Sequence, residues 1–295
     1  MRPVYKIFFT ASILLTIVAI VTTVVVWKKT DGGFLGTDFR GGSVLEVKFE
    51  NGRPADQVAI EDASVSSVGE TSIIIRSSKI SDERRQEILT SLTSKYGPVT
   101  QQRFDDVGPT VGNELKTKSV KAVIILLIVV VVYLAIVFRG MARVLSPWAM
   151  GFAAVAALLH DVIIPIGVLS YLGAYHGVEI GAVFVAALLT ILGYSVSDTV
   201  VVFDRVRENV VRFGGKESFS ELVHKSIMQT LTRSINTSVT TLLALVAIFL
   251  FGGESIKYFA LALIIGILSG TYSSMFIAAP IVVWWHQFRA RKRGI

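Results

Sequence analysis

Cysteine is absent from the 295-residue chain, so disulfides, thiolate metal sites and cysteine nucleophiles are excluded. Charge is also scarce, because only 17% of the residues are Asp, Glu, Lys or Arg, against about 25% in an ordinary soluble domain. Apolar residues make up 52% of the chain. This composition favours an integral membrane protein over a soluble domain.

Six apolar runs are long enough to cross a bilayer, whose hydrocarbon core of about 30 Å requires about 20 apolar residues in a helix. The predicted spans are Ile7–Trp27, Ala122–Phe138, Trp148–Leu172, Ile180–Phe203, Ile235–Phe251 and Tyr258–Trp285. The first run ends in Trp27-Lys28-Lys29 instead of a small-residue cleavage site, so we predict a retained helix and not a signal peptide. Several runs are rich in Gly and Ala, which permits close helix contact in lipid.

Lys and Arg are distributed unevenly along the chain. Fourteen of the 29 lie at one end of the predicted spans, whereas the short loops at the other end hold only Lys257. The remaining fourteen lie between Lys28 and Lys121, where fourteen acidic residues balance them. Since cytoplasmic loops are rich in Lys and Arg, both termini are predicted to be cytoplasmic. The net charge of +7 is therefore a topology signal and gives no support for nucleic-acid binding.

The segment between the first two spans is patterned as a soluble α+β domain outside the cytoplasm. Strands are predicted at Ser43–Phe49, Thr71–Arg76 and Val99–Phe104, and a helix at Ser81–Tyr96. A short helix after Pro54 and a weak strand at Ser64–Val68 would complete the β-α-β-β-α-β order of ferredoxin-like domains. Because this segment has no His, a binding or coupling module is favoured over a catalytic domain.

The predicted organisation follows from these patterns. It consists of a first transmembrane helix over residues 1–28, an extracytoplasmic α+β domain over 29–120, five further spans over 121–288 with a cytoplasmic loop at 205–230, and a basic cytoplasmic tail over 289–295. Within the loop, Phe219–Met228 is predicted to form an amphipathic helix on the membrane surface. Gly214-Gly215-Lys216 lacks the upstream Gly of a phosphate loop, so an ion gradient is the expected energy source.

An acidic residue interrupts the fourth predicted span. Asp198 lies about six residues, or about 9 Å at the helical rise, inward from the cytoplasmic end that Arg205 marks. It shares a helix face with Thr190, Tyr194 and Ser197. The fifth span carries a matching polar stripe formed by Arg233, Asn236, Thr237, Thr240 and Thr241. A carboxylate in lipid costs at least a few kcal/mol unless it is paired, protonated or hydrated. Both helices are therefore predicted to face a polar partner.

Two interpretations of Asp198 and Arg233 remain open. Pairing with Arg233 would favour the ionised carboxylate and separation would favour the protonated form, so a helix movement would load and release a proton. The alternative is a static pair that only fixes helix packing. Asp161, next to His160 in the third span, is expected either to join the same relay or to make a structural hydrogen bond. Asp204 is assigned to the cytoplasmic end.

Four motifs resemble those of the SecF branch of the SecD/SecF family, which is related to the RND superfamily of proton-driven transporters. They are Asp38-Phe39-Arg40-Gly41-Gly42, Val107-Gly108-Pro109 with Val111-Gly112, the run from Gly193 to Arg205, and Arg233-Ser234-Ile235-Asn236-Thr237. The family usually has Asn where this chain has Ser197.

This resemblance implies a six-span half-transporter that pairs with SecD, associates with the SecYEG channel and YajC, and promotes translocation of unfolded preproteins across a bacterial inner membrane. It implies no enzyme activity, metal or cofactor, and coupling to protons or sodium. The implied ion-path residues are Asp198, Arg233, Asp161, Thr237 and Ser197, and the implied motif or hinge positions are Asp38, Gly41, Gly42, Gly108, Pro109 and Gly112. The competing functions are half of an RND-type small-molecule exporter and a non-transporting membrane scaffold.

Overall fold

The computed structural model describes residues 2–30, 34–52, 58–68, 70–142, 144–213 and 216–292. Within these ranges the elements are α1 (Pro3–Thr30), α2 (Thr37–Arg40), β1 (Gly42–Phe49), β2 (Ser64–Val68), β3 (Ser72–Ser77), α3 (Asp82–Tyr96), β4 (Val99–Val107), α4 (Pro109–Val137), α5 (Pro147–His176), α6 (Ala182–Phe213), α7 (Phe219–Phe251), α8 (Glu254–Ser273) and α9 (Ala279–Lys292). A short 3₁₀ turn spans Arg139–Met141, and a π-turn over Ser274–Ala278 joins α8 to α9.

The helices form one bundle of membrane-spanning length. Six helical stretches of the described chain are long and apolar enough to cross a bilayer: α1, α4, α5, α6, α7 and the continuous stretch from α8 through the π-turn to α9. The six predicted spans are confirmed. The sixth span is unusual because the π-turn interrupts the regular α-helical hydrogen bonding near its middle.

Small residues let the helices of this bundle approach closely. α5 contacts α1, α4, α6 and α8, and α8 also packs on α6 and α7. A Cβ atom added to Gly167 of α5 would lie 2.8 Å from the Cα atom of Ala19 in α1. One added to Gly266 of α8 would lie 2.2 Å from Cδ1 of Ile191 in α6. This spacing brings short Ser and Asp side chains on neighbouring helices within hydrogen-bond distance.

The four strands form an antiparallel sheet in the order β2-β3-β1-β4. Leu45 lies opposite Ile75 on one side and Phe104 on the other, and α3 covers this apolar face with Ile88 and Leu92. The Ser81 side chain accepts a hydrogen bond from the Arg84 amide, which caps α3. The predicted strands and the helix over Ser81–Tyr96 are confirmed to within a few residues. The sheet order is that of a ferredoxin-like domain, and the predicted helix after Pro54 falls largely on residues outside the described ranges.

The structure differs from the sequence prediction at the end of the bundle far from the sheet. Phe219–Met228 is not a separate surface helix but the first turns of the 33-residue α7, because no helix-breaking residue lies between it and the fifth span. α6 likewise continues to Phe213, so most of the predicted loop at 205–230 is helical. Of the predicted basic tail, residues 289–292 belong to α9.

Candidate functional site

Asp198 lies between three helices of the bundle. It projects from α6, and Ser234 Oγ of α7 donates a hydrogen bond to its Oδ1 atom. Ser274 Oγ, at the first position of the π-turn, donates to Oδ2 over 2.5 Å. Two short hydroxyl donors therefore satisfy the carboxylate, which lowers the cost of placing it in an apolar layer.

Arg233 lies beside Asp198 without binding it. The two residues line one cavity of about 70 Å³ together with Tyr194, Ser197, Val201 and Thr237. They form no ion pair within 4.0 Å, so the predicted Asp198–Arg233 pair is not present in this structure. The reason is rotational: successive helix residues point about 100° apart, so Ser234 faces α6 while Arg233 is exposed. The cavity nevertheless brings together four of the five predicted ion-path residues.

Further hydroxyl groups continue this polar layer between α7 and α8. Ser238 Oγ lies 2.5 Å from Thr271 Oγ1, and the Tyr194 hydroxyl donates to Ser238 Oγ over 3.3 Å. α6, α7 and α8 are thus joined by hydrogen bonds from Tyr194 to Ser274.

Asp161 occupies a second polar cluster and is fully buried. Ser195 Oγ of α6 and Ser273 Oγ of α8 both donate to its Oδ2 atom, over 2.6 and 2.7 Å. His160 Nδ1 lies 2.9 Å from Oδ1. Partners from two other helices and the neighbouring His160 therefore bind Asp161 in the bundle interior.

His160 extends this cluster towards α1. Its Nε2 atom is buried and has no hydrogen-bond partner, and its ring stacks on Tyr272 with centroids 6.3 Å apart. The Tyr272 hydroxyl donates to the Phe8 carbonyl over 2.6 Å and accepts from Ser12 Oγ over 3.1 Å. In the tautomer whose Nδ1 donates to Asp161, this unpartnered Nε2 is a hydrogen-bond acceptor held in the bundle interior.

The predicted motif residues meet where the sheet joins the bundle. Asp38 Oδ2 accepts a hydrogen bond of 2.7 Å from the Ala182 amide at the start of α6, where helix dipoles favour an anion. Gly41 and Gly42 have φ of +76° and +119°, which side chains rarely tolerate. A Cβ on Gly112 would lie 3.0 Å from the Gly41 amide nitrogen. Gly108 and Pro109 begin α4 beside this contact.

An ion pair that the sequence did not reveal ties the sheet to the α5–α6 loop. Arg76 of β3 pairs with Glu179, and it also donates to Ser66 Oγ and to the Gly177 carbonyl, over 2.8 and 3.2 Å. Burial raises the pKa of Glu179, and the Arg76 guanidinium opposes this rise. The two residues are 103 positions apart in the sequence, so no local pattern could pair them.

Sequence reasoning also missed the serines that bind the two aspartates. Each of these serines, Ser195, Ser234, Ser273 and Ser274, carries little information when it is considered by itself. The available signal was Thr271-Tyr272-Ser273-Ser274, four consecutive hydroxyl side chains within the sixth span. Within the described residues, no three His, Asp or Glu side chains are grouped as a metal site.

Comparison with protein families and with curated relatives gives a consistent result. Residues 87–288 match the family model described as protein export membrane protein SecD/SecF, C-terminal. The chain is 41% identical over 270 residues to protein translocase subunit SecF of Thermobaculum terrenum, covering 85% of this chain and 84% of the relative. It is 40% identical over 300 residues to the SecF subunit of a Synechocystis species, covering 95% and 92%.

Solved structures show the same likeness over nearly the whole chain. The crystal structure of SecDF from Thermus thermophilus, described as a translocon-associated membrane protein, superposes with a TM-score of 0.80 at 33% identity. A super-membrane-facing form of SecDF gives a TM-score of 0.70 at 32% identity. The two comparisons cover 96% and 98% of this chain but only 38% and 39% of the SecDF chains, so this chain spans about two-fifths of their length.

Proposed function

The chain belongs to the SecD/SecF family of protein export membrane proteins, and from that premise we propose that it is the ion-driven SecF half of a SecD–SecF unit. It is a multi-pass translocase subunit of the Sec export machinery and not an enzyme. The partner is SecD, since the matched SecDF chains contain a further three-fifths of sequence. SecYEG, YajC and an unfolded preprotein are the further expected partners.

An exposed polar surface on α6 and α7 supports a partner within the membrane. Thr190 and Ser197 of α6 and Arg233, Asn236 and Thr237 of α7 are exposed in the isolated chain. Thr190 and Thr237 donate to carbonyls of their own helices. Lipid cannot satisfy the Arg233 guanidinium or the Asn236 amide, so a second helical subunit or water must cover them. We place the SecD spans against this surface.

The observation that carries the ion-coupling proposal is the position of Asp198 between two sets of partners. Ser234 and Ser274 bind it in this structure, while Arg233 lines the same cavity unpaired. Movement of α7 relative to α6 would exchange the hydroxyl partners for the guanidinium and thereby change how tightly Asp198 holds a proton. Thr237 and Ser197 line the path, and Asp161 is the next carboxylate of the same relay.

Movement at Asp198 would reach the sheet through α6. This helix runs without a break from Ala182, which the Asp38 carboxylate caps, to the layer of Asp198. Gly41, Gly42, Gly108, Pro109 and Gly112 would form the hinge at which the sheet domain turns. We place this domain outside the cytoplasm and both termini inside, with the chain in the bacterial inner membrane.

The test replaces Asp198 with Asn in the complex with SecD and measures preprotein export into inverted membrane vesicles with and without an imposed ion gradient. We expect Asp198→Asn to remove the gradient-dependent part of export at unchanged protein level and SecD association. Asp204→Asn is the matched control, because Asp204 lies on the same helix but its side chain is 65% exposed. It should leave export unchanged.

The outcomes separate the competing functions. Undiminished gradient-dependent export in Asp198→Asn would contradict ion coupling and assign the cluster to helix packing. Proton and sodium gradients imposed separately identify the coupling ion. A gradient effect on small-molecule efflux without one on preprotein export would instead favour an exporter.

A further inference from the structure

Four consecutive side chains of the sixth span each bind a different neighbouring helix. Thr271 contacts Ser238 of α7, and Tyr272 contacts Phe8 and Ser12 of α1. Ser273 donates to Asp161 of α5, and Ser274 donates to Asp198 of α6. We call Thr271–Ser274 the hydroxyl hub. It ends where the π-turn begins, and π-turns inside α-helices frequently occur at functional sites.

Each serine of the hub has two acceptors for one hydroxyl proton. Ser274 Oγ lies 2.5 Å from Asp198 Oδ2 and 3.1 Å from the Thr271 carbonyl. Ser273 Oγ lies 2.7 Å from Asp161 Oδ2 and 3.2 Å from the Gly270 carbonyl. A hydroxyl group has one proton, so it donates fully to only one acceptor at a time. Each serine can therefore serve its carboxylate or its own helix.

We propose that Ser273 and Ser274 couple Asp161 to Asp198, so that the state of one carboxylate sets the hydrogen bonding of the other. The coupling rests on the proposed ion-binding role of Asp198. When Arg233 binds Asp198, the Ser274 hydroxyl turns to the Thr271 carbonyl, and the turn that carries both serines readjusts. Ser273 then donates less to Asp161, whose ionised form loses a donor. The exchange rearranges hydrogen bonds only, and no covalent bond is formed or broken.

Few ionisable groups surround Asp161, which makes its response interpretable. His160 is the ionisable neighbour from α5, while α6 and α8 present Ser195, Ser273 and the Tyr272 ring. The membrane stretches of α1 (residues 7–27) and α4 (residues 122–138) contain no Asp, Glu, Lys, Arg or His. Within the described residues, the other carboxylate joined through the hub is Asp198, and the hub itself contributes the Tyr272 hydroxyl.

The experiment records infrared spectra of the protein in complex with SecD, reconstituted in lipid, over a pH series. The Asp161 carboxyl band is identified by its loss in Asp161→Asn. Ser274→Ala removes a hydroxyl whose hydrogen bonds go to Asp198 and to the Thr271 carbonyl. It should shift the pH at which the Asp161 band is half-titrated by at least about half a pH unit, a threefold change in proton binding. Ser274→Thr keeps the hydroxyl and should restore the midpoint. If Asp161 does not titrate within the pH series, the frequency of its carboxyl band is compared between the variants at one pH instead.

Ser170→Ala is the matched control, because Ser170 is also fully buried but donates only to the Ile166 carbonyl of its own helix. It should leave the Asp161 band in place. An Asp161 band unmoved by Ser274→Ala, while the Asp198 band moves, would show two independent sites and overturn the proposal. The infrared spectrum does not depend on export, so the two proposals can fail separately. If Ser274→Ala moves the Asp161 band while Asp198→Asn retains gradient-dependent export, the proposed function is rejected and the coupling between the carboxylates stands.

Discussion

The side chains of Arg233 and Ser234 illustrate what sequence can predict about a single site. The depth of Asp198 in an apolar helix, and a polar stripe on the following span, were sufficient to predict that these helices meet. The sequence left open whether Asp198 is paired with Arg233, and in this structure Ser234 binds it instead. The choice between these two adjacent residues depends on a rotation of α7 that hydropathy does not specify. Ser274 was unpredictable for a related reason, since the π-turn determines its direction.

Gly42, which lies where the sheet joins the helix bundle, provides a second test at a single residue. Its φ is +119°, and a Cβ atom would lie 2.9 Å from the Ser77 carbonyl oxygen. Gly42→Ala should therefore destabilise the pairing of β1 with β3 by about 2–3 kcal/mol, combining backbone strain with the clash. Faster hydrogen exchange of the β1 and β3 amides in the full-length protein would measure this loss.

Gly52→Ala separates the two causes. Gly52 also has a positive φ, of +83°, but nothing lies within 4 Å of its Cβ position. We expect this variant to lose only about 1 kcal/mol. Equal losses at the two positions would show that the contact with Ser77 is unimportant.

Among the elements, the strands and α3 followed their sequence patterns most closely. The strand pattern over Ser43–Phe49 is local, and so is the glycine, Gly97, that ends α3. Local signals of this kind suffice for a half-buried sheet covered by one helix. The lengths of α6 and α7 were underestimated because apolar runs mark only the lipid-facing part of a helix. Their polar ends are held by the buried Asn209, whose amide donates to Ser226 and Gln229.

The contact between the sheet and the α5–α6 loop should depend on pH through Glu179. Burial raises the pKa of Glu179 above its usual value of 4.5, so the docked state binds the proton more tightly than the undocked state. Docking is therefore strongest below about pH 4.5 and weakens as pH rises through the raised pKa. The Gly36 and Ile180 amides bond between the α5–α6 loop and the segment that precedes α2, next to this contact. Their hydrogen exchange should accelerate over that window after correction for intrinsic exchange.

Glu179→Gln should abolish this pH dependence, because the glutamine side chain does not titrate. Glu61→Gln alters an exposed carboxylate of the same domain and should preserve it. Docking that instead strengthens with pH would mean that the ion pair with Arg76 outweighs the cost of burying Glu179.

For the whole molecule, the absence of cysteine permits a direct test of orientation. Ser94→Cys introduces a thiol at an exposed position of α3, and Lys216→Cys introduces one at an exposed position between α6 and α7. We expect a membrane-impermeant maleimide to label Ser94→Cys in intact spheroplasts and Lys216→Cys only after the membrane is opened. This result would follow from the distribution of Lys and Arg.

Labelling of Lys216→Cys in sealed cells would contradict the predicted topology and place the sheet in the cytoplasm.

The six spans, the sheet domain and the family were all accessible from sequence because each rests on many residues. The Arg76–Glu179 contact and the two aspartate clusters depend instead on helix rotation and on contacts between distant segments, which the sequence pattern does not specify.

The π-turn changes the phase of the helical repeat along the sixth span. A π-turn accommodates one extra residue, so the side chains of α9 are out of phase by about 100° with the α-helical repeat that begins in α8. A single heptad-like register therefore cannot describe both halves. Deleting Ser274 would rejoin the two phases without removing a hydrophobic residue, and it would turn Trp284 away from Phe9 of α1, on which it now packs.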